Sequence, residues 1–232
     1  MLTTEEINNK LLLGTDSQGR TAWHWAAPVG RIKVLHKILE WAKENLTKGE
    51  IKNKLLLGAD SEGKTAWHVA AYQGNLEGLQ YLWELANKIL TTQEIRNKLL
   101  LGTDSEEKTA WHVAAYQGNL EELQYLWELA NEILTTEVII NELLLGTDSE
   151  GRTAWHLAAH WGNLEELLQI WKWADEKLSK EEINNNLLLG TDNKGKTVFH
   201  LASGKGNLEV LHKFWELAKM KLTTEEVNNI IY

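Results

Sequence analysis

Five histidines, His24, His68, His112, His156 and His200, stand 44 residues apart, each three residues after a threonine. Imidazole suits general acid–base catalysis near neutral pH, so a recurring Thr-x-x-His invites an enzymatic reading. Its regularity argues against that reading. An active site needs one constellation of different groups converging on one place, and no acidic or hydroxyl partner recurs here as a triad would require. His156 and His160 have the i, i+4 spacing that can hold zinc from one helix face. No third ligand is signalled, however, and the position of His160 is Tyr72 or Tyr116 in other units. The chain has no cysteine, so disulfide and thiolate chemistry are unavailable. The sequence therefore predicts no enzyme, catalytic residue, metal or cofactor.

Each histidine sits inside a longer repeated stretch, which in one copy reads Thr65-Ala66-Trp67-His68-Val69-Ala70-Ala71-Tyr72-Gln73-Gly74-Asn75-Leu76-Glu77. A strict period of this length predicts stacked units that bury a core only against their neighbours. We divide residues 1–232 as one repeat domain: an N-terminal capping helix at 1–13, then units at 14–57, 58–101, 102–145, 146–189 and 190–232. Each unit is expected to hold three helices. The first starts at the threonine as N-cap and ends near Gly30, Gly74, Gly118, Gly162 or Gly206. The second starts at Asn75, Asn119, Asn163 or Asn207 and carries one apolar stripe, as in Leu76, Leu79, Trp83, Ala86 and Leu90. The third opens on a capping box (Thr47 with Glu50, Thr91 with Glu94, Ser179 with Glu182, Thr223 with Glu226) and closes on Leu-Leu-Leu-Gly. Thr3 with Glu6 gives the leader the same start. The apolar end, Ile230-Ile231-Tyr232, reads as an edge left by cutting a longer array or by an engineered boundary.

The recurring Thr-Ala-Trp-His-x-Ala-Ala-x-x-Gly-Asn-Leu-Glu resembles the ankyrin repeat signature, and Asp60-Ser61-Glu62-Gly63-Lys64 resembles the turn that precedes it. The resemblance implies an all-α, ankyrin-like α-solenoid of five three-helix repeats. It also implies that the histidines tie neighbouring loops by hydrogen bonds. Ankyrin units hold about 33 residues, so each unit here carries about eleven more, which we read as the added third helix. By period alone a HEAT/armadillo-like α-solenoid is the alternative fold.

The net charge of -9 is unevenly spread. Residues 14–57 carry eight lysines and arginines against four acids, whereas residues 102–145 carry one against nine. An acidic centre disfavours nucleic acid and favours a basic partner. No apolar run is long enough to cross a bilayer, and Met1 runs straight into helix-start residues, so no membrane contact and a cytoplasmic location are expected.

Positions that vary inside so regular an array are where function can be read. The pair after each Ala-Ala is one such place: Pro28-Val29, Tyr72-Gln73, Tyr116-Gln117, His160-Trp161 and Gly204-Lys205. In an ankyrin-like array the first helix lines the concave face, so Tyr72, Tyr116 and Trp161 would form an aromatic row there. Trp25 and Trp161 do not recur, unlike the repeated Trp67, Trp111 and Trp155, which are expected in the core. Units two and three differ at only eight positions, half of them in the third helix. There Val138 and Ile140 predict an apolar patch and the loss of a capping-box glutamate. Glu107 replaces a turn glycine and would be strained if that position requires positive φ.

The function expected is a non-catalytic protein–protein interaction module. It would hold a protein or peptide partner, a basic one by charge, through Trp25, Tyr72, Gln73, Tyr116, Gln117, His160, Trp161, Lys205, Val138 and Ile140. Self-association through the apolar C-terminal edge or the Val138/Ile140 patch is a further expectation. The alternative is a structural spacer or a designed, consensus-like repeat scaffold with no binding activity of its own.

Overall fold

A computed structural model describes Thr3, residues 7–28 and residues 31–223. It opens on a π-helical turn, α1 (Ile7–Leu12). The first unit then holds α2 (Ala22–Ala26), α3 (Ile32–Asn45) and α4, an α-turn Lys48–Glu50 that widens into π-helical Ile51–Leu56. The second holds α5 (Ala66–Tyr72), α6 (Leu76–Ile89) and α7 (Thr92–Glu94, then Ile95–Leu100). The third holds α8 (Ala110–Gln117), α9 (Leu120–Ile133) and α10 (Thr136–Val138, then Ile139–Leu144). The fourth holds α11 (Ala154–Trp161), α12 (Leu164–Lys177) and α13 (Lys180–Glu182, then Ile183–Leu188). The fifth shows α14 (Val198–Lys205) and α15 (Leu208–Lys221). No strand occurs among the described residues. Isolated bridges such as Ala59 with Thr65 close the turns between units.

The first helices of successive units pack side by side, as do the second helices. Each second helix spans 14 residues with one apolar face inward, such as Leu79, Leu82, Leu85 and Ala86 on α6. The core is continuous along the array and is punctuated by the fully buried Trp23, Trp67, Trp111 and Trp155. Each of the last three indoles lies against a tryptophan of its own unit, with Trp111 5.7 Å from Trp127. Trp127 stacks on Trp173 of the next unit at 4.5 Å, which stitches the third and fourth units together.

The third helix is not the plain α-helix its capping box predicts. The boxes themselves form: Thr91 accepts from the amide of Glu94, whose carboxylate accepts from that of Thr91. One turn later the ladder shifts by a residue, and Leu101 N–H donates to Arg96 O, five residues back, at 3.0 Å. The widened turn puts Ile95, Leu99 and Leu100 together on the buried side. The glycine closing Leu-Leu-Leu-Gly is required by a close approach, since a Cβ at Gly102 would lie 2.3 Å from Lys98 O. The same crowding recurs at Gly58, Gly146 and Gly190.

The asparagines depart from expectation as well. They stand at the N-cap positions of the second helices, but only Asn75 caps with its side chain. Asn119 Nδ2 instead donates to Ala71 O and Tyr72 O of the preceding unit, and Asn163 and Asn207 repeat the pattern. The carbonyls they reach lie at the end of the preceding first helix, where intrahelical donors run out; of these, Ala159 O also accepts from Gly162 N–H at 3.3 Å. Val29, Gly30, Glu6, Glu226 and the Ile230-Ile231-Tyr232 edge lie outside the described residues.

Candidate functional site

The recurring histidines hold the units in register. Nδ1 of His112 lies 2.9 Å from Thr109 Oγ1 and 3.4 Å from Thr109 N–H, filling the acceptor role that glutamate takes in a capping box. Its Nε2 lies 3.0 Å from Gly146 O in the next unit. An amide can only donate and a carbonyl can only accept, so Nε2 carries the proton and the ring is neutral. His24, His68 and His156 make the same bonds to Gly58, Gly102 and Gly190. Burial pushes all four below the ordinary histidine range. His200 is exposed and, among the described residues, bonds to Thr197 alone. Both nitrogens of His156 are thus occupied by protein groups, leaving no lone pair to share with His160 on a metal. The turn tips continue the register: Ser61, Ser105, Ser149 and Asn193 each donate a backbone N–H to the tip before them, at 2.9 Å.

Beside this ladder the end of each first helix presents the aromatic positions. Tyr72 and Tyr116 stack with ring centroids 6.5 Å apart, and Trp161 meets Tyr116 edge-on at 5.0 Å. Tyr72 and Trp161 are exposed, while Tyr116 is half-buried between them. Gln73 and Gln117 lie exposed alongside, and Gln117 Nε2 donates to Tyr72 O at 3.4 Å. His160 stands edge-on to Trp161 at 5.3 Å, and burial, followed by the charges of Lys205 and Arg152, lowers its affinity for a proton. Trp25, 52% exposed, donates from Nε1 to Asp16 at 2.9 Å. It shares with Tyr72 and Gln73 a cavity of about 340 Å³ between the first two units. A smaller cavity, about 180 Å³, follows between Tyr72 and Tyr116.

A row of cations, of which sequence reasoning named only Lys205, lies over these rings. Arg20 sits 5.6 Å from the Trp25 centroid, Lys64 6.0 Å from Tyr72, Lys108 5.3 Å from Tyr116 and Lys205 4.6 Å from Trp161. The signal was available, since Arg20, Lys64, Lys108, Arg152 and Lys196 each directly precede the signature threonine. Burial is the largest influence and works against the Lys64 charge, but the hydrogen bond and charge of Glu62, with the charges of Asp104 and Asp60, together outweigh it and hold its pKa above the usual value. Six of the nine acids of residues 102–145 lie elsewhere, on α9 and α10; the other three belong to the turn before α8. The acidic centre and the aromatic row are therefore largely separate surfaces.

Val138 and Ile140 are less prominent than expected. Ile139 is buried, and both neighbours are half-buried against the core. The cap of α10 survives in half, since Thr135 still accepts from Val138 N–H, but the reciprocal acceptor is gone. At the equivalent place one unit earlier, Lys52 pairs with Glu94 across the boundary. By that register Arg96 would pair with position 138, and its Nε is buried without a hydrogen-bond partner.

Among the described residues no cluster of three metal-ligating side chains occurs, and no helix is long and apolar enough to cross a membrane. The family model of ankyrin repeats, in three copies, matches residues 91–172. No curated protein matches the chain.

Proposed function

Taking the chain as an ankyrin-like solenoid whose residues 91–172 carry ankyrin repeats, we propose that it is a non-catalytic protein-binding module. Ankyrin repeats generally serve as protein–protein interaction modules, and by the resemblance the ends of the first helices face the concave side. The observation that carries the proposal is the aromatic row Tyr72, Tyr116 and Trp161, which leaves large rings exposed where the repeated tryptophans are buried. Tyrosine and tryptophan supply most of the energy in many interfaces, because a large rigid surface loses little entropy on contact.

Trp25, Gln73, Gln117, His160 and Lys205 extend the row into a polar rim. The lysines over the rings place positive charge there, so the row itself suits a partner with carboxylates among its apolar groups. A basic partner would instead engage the acidic α9 and α10. Changing Tyr116 and Trp161 to alanine should weaken partner binding at least about tenfold with little loss of thermal stability. Capture from lysate followed by titration of the recovered partner measures the first, and thermal melts the second. A melting temperature that falls in step with affinity would return both rings to the core, and unchanged affinity would remove the row from the interface.

A further inference from the structure

A second surface lies where second helices end and third helices begin, and its charge changes sign along the array. Between the first two units, a groove of about 630 Å³ has Leu46, Ile51 and Leu85 in its floor and Lys43, Lys48 and Lys88 on its rim. All three rim lysines are exposed, and none has a carboxylate partner among the described residues. One unit further on, the edge is inverted. Of the eight differences between units two and three, five fall here. Lys88 of unit two is Glu132 in unit three, Gln93 is Glu137, Glu94 is Val138, Arg96 is Ile140 and Lys98 is Glu142. Glu132, Glu137 and Glu142 are exposed and unpaired among the described residues, with half-buried Val138 and Ile140 interspersed.

Changes without consequence would scatter over the unit and leave its charge balance roughly alone. These concentrate on one edge, remove three positive charges and add three negative ones, in units otherwise nearly identical. We infer that this edge is a self-association surface, on which the lysine-rimmed groove of one copy seats the Glu132–Glu142 edge of a second copy. The two surfaces complement each other in charge, and each carries apolar groups beneath its charges. A parallel pairing would set like charges against each other. An antiparallel, two-fold pairing makes the contact twice, each groove meeting the other copy's acidic edge.

The test is sedimentation equilibrium of the full chain at about 100 µM and below, in about 50 mM and about 500 mM salt. The expected species at low salt is a dimer of the 26.5 kDa chain that dissociates at high salt. The triple variants K43E/K48E/K88E and E132K/E137K/E142K should each raise the dimer Kd about a hundredfold. Mixed together, they should form a heterodimer near the original affinity, because each then offers what the other lacks. The altered side chains are exposed, and matching thermal melts check the fold; K43Q/K48Q/K88Q stands in should a reversal unfold. The Tyr116/Trp161 double alanine variant should still dimerise, which separates this contact from partner binding by the aromatic row. A monomer at low salt, a dimer indifferent to the reversals, or a mixture that fails to associate would each overturn the inference.

Discussion

Glu107 occupies the turn position that is glycine at Gly19, Gly63, Gly151 and Gly195, and it keeps their backbone, with φ of 58°. It is the one non-glycine residue among those described with positive φ, where an L side chain crowds its own backbone. Glu107→Gly should therefore stabilise the protein by roughly 1 kcal/mol, read as a higher melting temperature, and an unchanged melt would show that the turn relaxes around the side chain. This strain was legible in the sequence because four sister positions named the residue the turn needs. The histidine's service to the next unit was legible only through the resemblance. The basic residues before each signature threonine stood in plain view, but their placement over the aromatic rings did not. Their reach depends on a side chain folding back across several residues, which spacing along the chain does not display.

At the scale of elements, the capping boxes at Thr47, Thr91 and Ser179 and the order of the described helices followed from local chemistry and came out as read. The π-helical second half of each third helix did not, because Ile95, Leu99 and Leu100 would serve an ordinary helix equally well. The widened turn ends by presenting Gly102 O to His68 of the preceding unit, a partner that the local sequence does not display. The asparagines departed only in part: Asn75 caps through Oδ1 and reaches Ala27 O of the preceding unit through Nδ2, whereas Asn119, Asn163 and Asn207 keep the second bond without the first. In α10, Val138 leaves the Thr135 N–H without its carboxylate and Arg96 without a counter-charge. Val138→Glu should restore both, adding about 1 kcal/mol of stability at protein concentrations low enough to exclude association. A chemical-denaturation midpoint no higher than that of the parent chain would show that Arg96 does not reach position 138.

Over the whole molecule the buried histidines make stability depend on pH. Unfolded, they titrate near the ordinary histidine value of about 6.5; folded, burial holds His24, His68, His112 and His156 below it. Below about pH 6.5 the unfolded chain thus binds protons that the folded array refuses, so the stabilisation is complete above that value and is lost as pH falls. Each histidine contributes a slope of up to about 1.4 kcal/mol per pH unit. Burial raises Glu122 and Glu166, which act in the opposite sense above about 4.5 and offset part of the effect. The melting temperature should hold between pH 8 and 7 and drop steeply from about 6.5 to 5; a flat profile would mean that Nδ1 accepts a proton without cost to its place against the threonine amide.

The indoles of Trp111, Trp127 and Trp173 lie within 5.7 Å of one another. Rings this close share their electronic excitation, so the trio should give a coupled circular-dichroism signal that separate indoles do not. Among the described residues they form the sole contact between tryptophans that crosses a unit boundary. Light absorbed there reports on one seam of the array, and the parting of units three and four can be timed while the other seams stay dark.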